Sequence, residues 1–433
     1  MNNFLKLILI FIFISNCSFH KNSKFWTKQK IVKEKSNNFL QILKKEENLI
    51  SEFNPNLKIR LNSKLVNKSF LNNLNNNNGR IDFNGNLKNL SKYKFSKIKN
   101  FHQYNPQISF YNNDIIFFDN KGTILRFNDD SDLIWKKNIY TKFEKKQNPI
   151  LFFENDNKTL IVADNITNYY ALDVDTGELL WSKNNTAPFN SQIKIYEDKF
   201  FLIDFENILR AYSVKNGKEI WNIRTENSFI RSPKKLSMVI VNGKIYFNNF
   251  SGDISSVDIQ SGELLWQTPT ESRLNYDESF ILMTSDIIAD KSALYFSNNK
   301  NKFFSLDIHT GTINWKQKIN SNLRPTLIDD YIFTVSHDGY LVIIEKNTGN
   351  ILRITDVLKS FKNKKRNKIH PTGFIVGNTN IYLTTDNGRL IVLDLVTGKT
   401  LSVMKIDNQK ISRPSVLNDN LFIITDNSIL KIN

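Results

Sequence analysis

This sequence of 433 residues contains a single cysteine and only 15 glycines. One cysteine excludes an intrachain disulfide and a cysteine-rich metal site. The five histidines are scattered, and none belongs to a His-x-x-x-His or Glu-x-x-His pair of the kind that binds zinc. No Gly-x-Ser-x-Gly elbow and no glycine-rich phosphate loop is present either. The sequence therefore carries no local signature of an enzyme active site, and we expect neither a cofactor nor a metal.

Acidic residues are outnumbered, with 42 Asp and Glu against 59 Lys and Arg, for a net charge of +17. Such a charge is typical of proteins that bind nucleic acid or anionic membranes. Lys and Asn are abundant along the whole chain, however, as a biased base composition would produce. The densest basic run, residues 362–368, falls in an expected loop. We interpret it as a solvated loop, with an anionic contact as the alternative, and expect no nucleic acid partner.

The N-terminus has the pattern of an export signal. Lys6 precedes an apolar run from Leu7 to Ile14 that is too short to span a bilayer comfortably. Ile14-Ser15-Asn16-Cys17 resembles a bacterial lipobox, in which the cysteine is diacylated, although Asn16 departs from the usual small residue. The resemblance implies a lipid anchor at Cys17. Ser18, in place of the Asp that retains lipoproteins in the inner membrane, implies the periplasmic side of the outer membrane. An ordinary cleaved signal peptide or an uncleaved anchor is the alternative.

Residues 17–88 are polar and rich in Asn and Lys, so we expect a mostly disordered tether after a signal peptide of residues 1–16. The stretch 69–80, with Asn at positions 75–78, is of low complexity and is not expected to pack. Apolar residues within 38–50 fall roughly on one helical face. They indicate either a docking helix or a weakly helical linker.

The remaining sequence repeats. Residues 171–181, 211–221, 256–266 and 305–315 share a pattern of a strand, a tight turn ending in Gly, and a strand with Trp four residues after that Gly. Residues 125–135 are a weaker copy, with Ser131 at the Gly position, and two later copies keep the Gly but lack the Trp. The residues of the pattern are Trp135, Trp181, Trp221, Trp266 and Trp315, with Gly177, Gly217, Gly262, Gly311, Gly349 and Gly398. We assign all of them a packing role.

The Trp position recurs at 135, 181, 221, 266, 315, 353 and 402, with spacings of 38 to 49 residues. This spacing fits the four short strands of a propeller blade. After residue 402 the chain continues into three further strands, ending with 421–425 and 428–432, but no fourth strand follows. An open sheet edge would invite aggregation. We therefore predict an all-β, eight-bladed β-propeller of four-stranded antiparallel blades over residues 89–433, whose last blade is closed by an N-terminal strand within 89–98.

The Asp-x-x-Thr-Gly-x-x-x-Trp repeat resembles that of pyrroloquinoline-quinone-type propellers. With the lipobox and the blade count, residues 89–433 are similar to the family of the outer membrane protein assembly factor BamB. That resemblance implies a non-catalytic lipoprotein scaffold in the assembly of outer-membrane β-barrel proteins. Its partners would be the barrel-assembly outer-membrane protein with its accessory lipoproteins, and unfolded outer-membrane proteins.

Two other functions share these features. A quinone-dependent dehydrogenase uses the same kind of propeller, but such enzymes are larger and commonly carry a Ca²⁺ site and a vicinal cysteine pair. A periplasmic or surface propeller that binds a glycan or a peptide is the second alternative. The partners recovered from membranes in mild detergent would distinguish it from an assembly factor.

Partner binding is expected in connections between blades, since blade interiors must be alike. Two such loops, 227–232 and 271–277, combine apolar residues with a charge. The candidates are Phe229, Ile230 and Arg231 in the first loop and Leu274, Tyr276 and Asp277 in the second. An exposed Arg flanked by apolar groups is typical of an interface hot spot. An ordinary solvated loop is the alternative interpretation.

Overall fold

The computed structural model describes residues 51–66, 73–101, 103–156, 158–226, 232–271 and 281–433. All of them belong to one compact unit, residues 48–433. Within these ranges, 32 strands form eight four-stranded antiparallel sheets. The first strands of successive sheets contact one another, as β2 does with β6 and β10 with β14 in the numbering below. The first strand of each sheet thus lines the centre of a ring, and the prediction of an eight-bladed propeller is confirmed.

The strands are numbered along the chain, beginning with β1 (Asn89–Lys94). Blade 1 contains β2 (Ser109–Tyr111), β3 (Asp114–Phe118), β4 (Ile124–Phe127) and β5 (Leu133–Lys137). Blade 2 contains β6 (Leu151–Asn155), β7 (Thr159–Asp164), β8 (Asn168–Asp173) and β9 (Leu179–Asn184). Blade 3 contains β10 (Lys194–Tyr196), β11 (Lys199–Ile203), β12 (Ile208–Ser213) and β13 (Glu219–Arg224). Blade 4 contains β14 (Met238–Val241), β15 (Lys244–Asn248), β16 (Ile254–Asp258) and β17 (Leu264–Thr268).

The second half of the ring follows the same order. Blade 5 contains β18 (Ile288–Ala289), β19 (Ala293–Asn298), β20 (Lys302–Asp307) and β21 (Ile313–Gln317). Blade 6 contains β22 (Thr326–Ile328), β23 (Tyr331–Val335), β24 (Tyr340–Glu345) and β25 (Ile351–Asp356). Blade 7 contains β26 (Pro371–Val376), β27 (Asn380–Thr385), β28 (Arg389–Asp394) and β29 (Thr400–Lys405). Blade 8 contains β30 (Ser415–Leu417), β31 (Asn420–Ile424), β32 (Ser428–Ile432) and β1.

Blade 8 is completed by the first strand of the chain. β1 pairs antiparallel with β32, with Tyr93 opposite Ile429 and Lys94 opposite Ser428. Tyr93 is fully buried, and its hydroxyl donates to the carbonyl of Asp129 in blade 1 at 3.1 Å. The predicted closure by an N-terminal strand within 89–98 is therefore confirmed. It joins the two ends of the propeller by both main-chain pairing and side-chain packing.

Each of the first seven blades has a β-bulge between its third and fourth strands, beside the repeat position. Trp181 lies opposite Ala171, immediately before the register shift in blade 2. Arg353 and Ser402, which replace Trp, occupy the same place opposite Ile343 and Val392. A bulge adds twist and redirects a side chain. The recurring Trp position of the sequence repeat therefore marks structurally equivalent residues even in the blades that lack the Trp.

Within the described part of the chain, two short helices lie in connections between blades: α1 (Lys142–Lys146) after blade 1 and α2 (Asn363–Arg366) after blade 6. Thr141 and Glu144 form a capping box at the start of α1. α2 occupies the basic run that we expected to be a loop, and its lysines are exposed. Arg366 in α2 pairs with Asp356. None of the helices among the described residues is long and apolar enough to cross a membrane.

Candidate functional site

Residues 73–83, here called the channel plug, cross one end of the central channel. The main-chain N–H groups of Ile240 and Ala289 donate to the carbonyls of Leu74 and Asn75 at 2.8 and 3.0 Å. Asn77 exchanges two hydrogen bonds of 3.0 Å with the main chain of Leu327. The N–H of Ile81 donates to the carbonyl of Val376 at 2.8 Å. The plug thus follows the inner strands of blades 4, 5, 6 and 7 in order before the chain enters β1.

Asn76 is the most buried asparagine of the plug, with 2% of its surface exposed. Its amide nitrogen lies within 3.2 Å of four acceptors, namely Gln192 Oε1, Ser237 Oγ, and the carbonyls of Met238 and Ile287. Its oxygen accepts from Lys194 Nζ at 2.7 Å. This packing of residues 73–80 differs from the unpacked tether expected from their composition. An amide both donates and accepts, so it can satisfy polar groups at the ends of the inner strands without an apolar surface.

Residues 53–66 also contact the propeller. Phe53 and Ile354 exchange main-chain hydrogen bonds of 3.1 and 2.9 Å, so the segment adds to the outer edge of blade 6. Arg353, which is fully buried, donates to the carbonyls of Leu57 at 2.8 Å and of Val396. The parts of the tether within residues 17–50 lie outside the described residues, as does Cys17.

A cavity of about 460 Å³ lies in the channel beyond the plug. Its wall comes from the residues at the start of the inner strands of blades 1, 4, 5, 6, 7 and 8. A smaller cavity of about 50 Å³ separates it from Asn76 and shares Gln107, Lys235 and Arg324 with it. The larger cavity therefore opens on the face opposite the plug, where the connections between blades lie.

The wall of the larger cavity has an excess of positive charge. Five cationic side chains line it, against the carboxylates of Asp286 and Asp386. The cationic residues are Lys234, Lys235, Arg324, Lys410 and Arg413. Nε and Nη2 of Arg324 lie 2.7 and 2.6 Å from Oδ2 of Asp286. The carboxylate of Asp386 accepts a hydrogen bond from the main-chain N–H of His370. Both carboxylates thus have partners within the wall.

Two lysines of the cavity, Lys234 and Lys235, donate to neutral acceptors. Lys235 Nζ donates to Gln107 Oε1 at 2.8 Å, and Lys234 Nζ donates to the carbonyl of Asn322. Burial lowers the pKa of each of these lysines to about 8. Burial acts to raise the pKa of Asp286, but Arg324 and the two lysines outweigh it and keep that pKa below its usual range. Asp286 therefore stays ionised, whereas Lys234 and Lys235 lose their protons more readily than exposed lysines do.

Arg413 differs from the other cations. Its Nε donates to the carbonyl of Phe374 at 2.9 Å, but Nη1 and Nη2 are buried and have no hydrogen-bond partner. The chain of Arg413 packs over Gly373, where a Cβ would lie 2.3 Å from Arg413 Cβ. Burial, and next the charge of Arg324, lower the pKa of Arg413 to about 9. Sequence reasoning missed this residue, because its environment comes from strands distant in the chain.

Two histidines stack at the edge of the same cavity. The rings of His337 and His370 are 4.1 Å apart and inclined by 8°. Burial and the proximity of His370 lower the pKa of His337. Among the described residues, no group of three or more His, Cys, Asp or Glu side chains is placed to hold a metal ion.

The residues proposed for partner binding lie outside the described ranges. Phe229, Ile230 and Arg231 precede Ser232, and Leu274, Tyr276 and Asp277 follow Glu271. Ser232 is buried and accepts from Asn190 Nδ2 at 3.1 Å. Pro233 and Met283, which follow the two loops, line the large cavity. The partner role of both loops stays a prediction.

The Trp and Gly residues of the repeat form contacts between blades. Five glycines of the repeat face the indole of the preceding blade, and a Cβ on each would lie 2.5 to 2.7 Å from it: Gly177, Gly217, Gly262, Gly311 and Gly349. Gly398 faces Arg353 instead. Four indoles, those of Trp135, Trp181, Trp221 and Trp315, donate Nε1–H to a carbonyl of the next blade at 2.9 to 3.3 Å. Trp266 stacks on Gly311 but has no hydrogen-bond partner for Nε1. These residues hold the ring together and contribute nothing to the cavity wall.

Comparison with known proteins gives consistent matches. A family model described as "Outer membrane protein assembly factor BamB" matches residues 120–355. The chain is 23% identical over 290 residues to outer membrane protein assembly factor BamB of Shewanella oneidensis, covering 61% of this chain and 69% of that protein. It is 24% identical over 165 residues to the dehydrogenase subunit of a quinone-type alcohol dehydrogenase of Gluconobacter oxydans, covering 37% of this chain and only 17% of that protein.

Among solved structures, BamB from Moraxella catarrhalis superposes with a TM-score of 0.66 at 15% identity. The superposition covers 80% of this chain and 99% of that one. At 15% identity, the structural similarity shows the fold alone. The family model, in contrast, matches more than half of the chain.

Proposed function

This chain belongs to the family of the outer membrane protein assembly factor BamB, and on that premise we propose that it is a non-catalytic scaffold for assembling outer-membrane β-barrel proteins. The match of residues 120–355 to that family carries the proposal. The scaffold binds the barrel-assembly outer-membrane protein with its accessory lipoproteins, and unfolded outer-membrane proteins are further candidate partners. It is anchored by lipid at Cys17 on the periplasmic side of the outer membrane.

Binding takes place on the face where the channel opens. The plug covers the other end, so its main-chain groups are already paired with the inner strands. Pro233 and Met283, which follow the two candidate loops in the sequence, line this open end, and the candidate contacts within the loops are Arg231 and Asp277 with the apolar residues beside them. An Arg among apolar groups suits a binding hot spot because its stem packs while its guanidinium pairs.

Affinity purification tests this proposal. The tagged chain is isolated from its own membranes in mild detergent, and co-purifying proteins are identified by mass spectrometry. We expect the barrel-assembly protein with the natural sequence and a clear loss of it with Arg231→Glu plus Asp277→Lys. The matched control is Lys136→Glu plus Glu178→Lys, another charge exchange between exposed residues but on the outer rim. Equal recovery from both variants would place the interface elsewhere on the ring.

The quinone-dehydrogenase alternative draws support from the Gluconobacter relative, which matches over a minor part of its length. Addition of Ca²⁺ and pyrroloquinoline quinone to the purified chain, followed by dye-linked alcohol oxidation, tests it. Activity above that of a heat-denatured sample would replace the scaffold proposal.

A further inference from the structure

The terminal nitrogens of Arg413 are the starting point. A buried guanidinium that lacks acceptors is costly, because its charge has left water without gaining hydrogen bonds. Only Nε of Arg413 is satisfied, by the carbonyl of Phe374. The nearest carboxylate that affects it, that of Asp286, is already bound by two nitrogens of Arg324. Within the described residues, the protein thus supplies no counter-ion for Arg413.

The surroundings of Arg413 favour a ligand with two negative charges. Five cations and two carboxylates line the cavity, which leaves three positive charges in excess if all are ionised. Thr372, Ser412 and Ser415 also line the wall. A planar guanidinium with two free donor nitrogens matches the paired oxygens of a carboxylate or a phosphate.

The size and the closed end of the cavity restrict the ligand. Its volume of about 460 Å³ is that of a small-molecule site. The plug narrows the other end of the channel, where Asn76 contacts blades 3, 4 and 5. A polymer such as a nucleic acid would have to pass the plug to thread the ring. A compact molecule meets this restriction best.

We propose that the open end of the channel binds a small dianion, a dicarboxylate or a phosphate, which draws the buried guanidinium of Arg413 toward the cavity and pairs with its Nη1 and Nη2. Arg324 and the lysines of the wall add attraction at longer range. The assigned site goes beyond the scaffold function and does not depend on it. Neither a metal ion nor a chemical reaction is required.

Calorimetric titration of the purified chain with succinate and with inorganic phosphate tests the proposal. Ionic strength is held constant with sodium chloride, and succinamide serves as the neutral analogue of succinate. We expect one-site binding of at least one anion and no binding of succinamide. Arg413→Gln should weaken binding about 10- to 100-fold, because it removes charge-assisted hydrogen bonds. Arg224→Gln, which changes an exposed arginine, should leave binding unchanged.

Thermal unfolding provides a second measurement. Without ligand, Arg413→Gln should melt at a higher temperature than the natural chain, because it removes an unpaired buried charge. At one fixed ligand concentration, the natural chain should gain the most stability, Arg413→Lys less and Arg413→Gln the least. Equal anion binding by Arg413→Gln and the natural chain would overturn the proposal, as would equal binding of succinamide and succinate or the absence of binding by both anions. Any of these results would leave the scaffold function untouched, since that function is tested by partner recovery.

Discussion

The indole of Trp181 in blade 2 lies directly on Gly217 in blade 3. A Cβ at position 217 would be 2.5 Å from Cζ3 of that indole, and the φ angle of Gly217 is +64°. Nε1 of Trp181 donates to the carbonyl of Val214 at 2.9 Å. The tight turn and the tryptophan of the repeat thus form a single contact between neighbouring blades.

Gly217→Ala should destabilise the propeller by about 2 to 4 kcal/mol, from the left-handed backbone together with overpacking against Trp181. Urea unfolding followed by tryptophan fluorescence measures the change. Gly243→Ala is the matched control, because Gly243 has a φ of +71° but nothing within 4 Å of a Cβ. It should cost only about 1 kcal/mol. Equal losses from the two variants would show that the contact with the indole is not a source of stability.

Asn76→Ala should loosen the plug and cost about 2 kcal/mol, because it leaves buried polar groups of the channel unsatisfied. Hydrogen exchange at the amides of Ile240 and Ala289 reports the effect, since both donate to the plug. Exchange at these amides should accelerate. Asn84→Ala is the control, as the Asn84 side chain accepts from Thr379 at an exposed site. Unchanged exchange in Asn76→Ala would contradict a holding role for Asn76.

Removal of β1 should open blade 8. A chain that begins at Phe101 lacks both the plug and the closing strand, and we expect it to lose several kcal/mol and to aggregate through the exposed edge of β32. A chain that begins at Lys88 lacks the plug but keeps β1, so it isolates the effect of closure. Light scattering and thermal unfolding compare the two chains. The closing role of β1 would be refuted if the chain that begins at Phe101 stayed monomeric and had the same melting temperature as the chain that begins at Lys88.

Cys17→Ala should abolish the proposed lipid anchoring, because the acyl chains of such an anchor attach through the cysteine sulfur and stable anchoring needs two of them. Fractionation of membranes on a density gradient, with immunodetection, gives the result. The natural chain should float with outer membranes, whereas the variant should be soluble or uncleaved. Ser18→Ala keeps the cysteine and should fractionate like the natural chain. Unaltered flotation of Cys17→Ala would exclude this anchor.

Stability should rise with pH between about 8 and 10. Burial lowers the pKa of Lys234 and of Lys235 to about 8 in the folded chain, while unfolded lysine titrates near roughly 10.4. The unfolded state binds more protons over this interval, so this stability is lost as pH falls through 8. Lys234→Met plus Lys235→Met should make the rise shallower, by on the order of 1 kcal/mol per lysine, and the remaining rise comes from other buried cations such as Lys194, whose pKa burial lowers to about 7.

Urea unfolding at several pH values measures this dependence. Lys362→Met plus Lys364→Met, which changes two exposed lysines, is the control and should keep the rise. Burial raises the pKa of Tyr93 and of Tyr169 to about 12, which opposes the gain above pH 10 and sets its upper limit. A flat profile in the natural chain would show that these lysines are not desolvated.

Local patterns in the sequence determined the ring. The turn at Asp173 is an example, since its carboxylate accepts the N–H groups of residues 175 and 176, only two and three positions away. Repeated at blade spacing, such turns and the Trp positions predict the number of blades. The count of strands after residue 402 likewise required a closing strand, which is β1. Hydrogen bonding between close neighbours and edge pairing are readable from residue order alone.

Only the tertiary structure decided where the polar residues of the channel meet. Asn76 and Gln192 are 116 positions apart in the chain, yet they are 3.0 Å apart in space. Arg413 is a candidate anion-binding residue because its terminal nitrogens are buried without a partner in the folded ring. Neither residue belongs to the repeat, and each carries a side chain common elsewhere in the sequence. Their chemistry follows from desolvation and from partners brought together by ring closure, and both depend on distances that residue order does not contain.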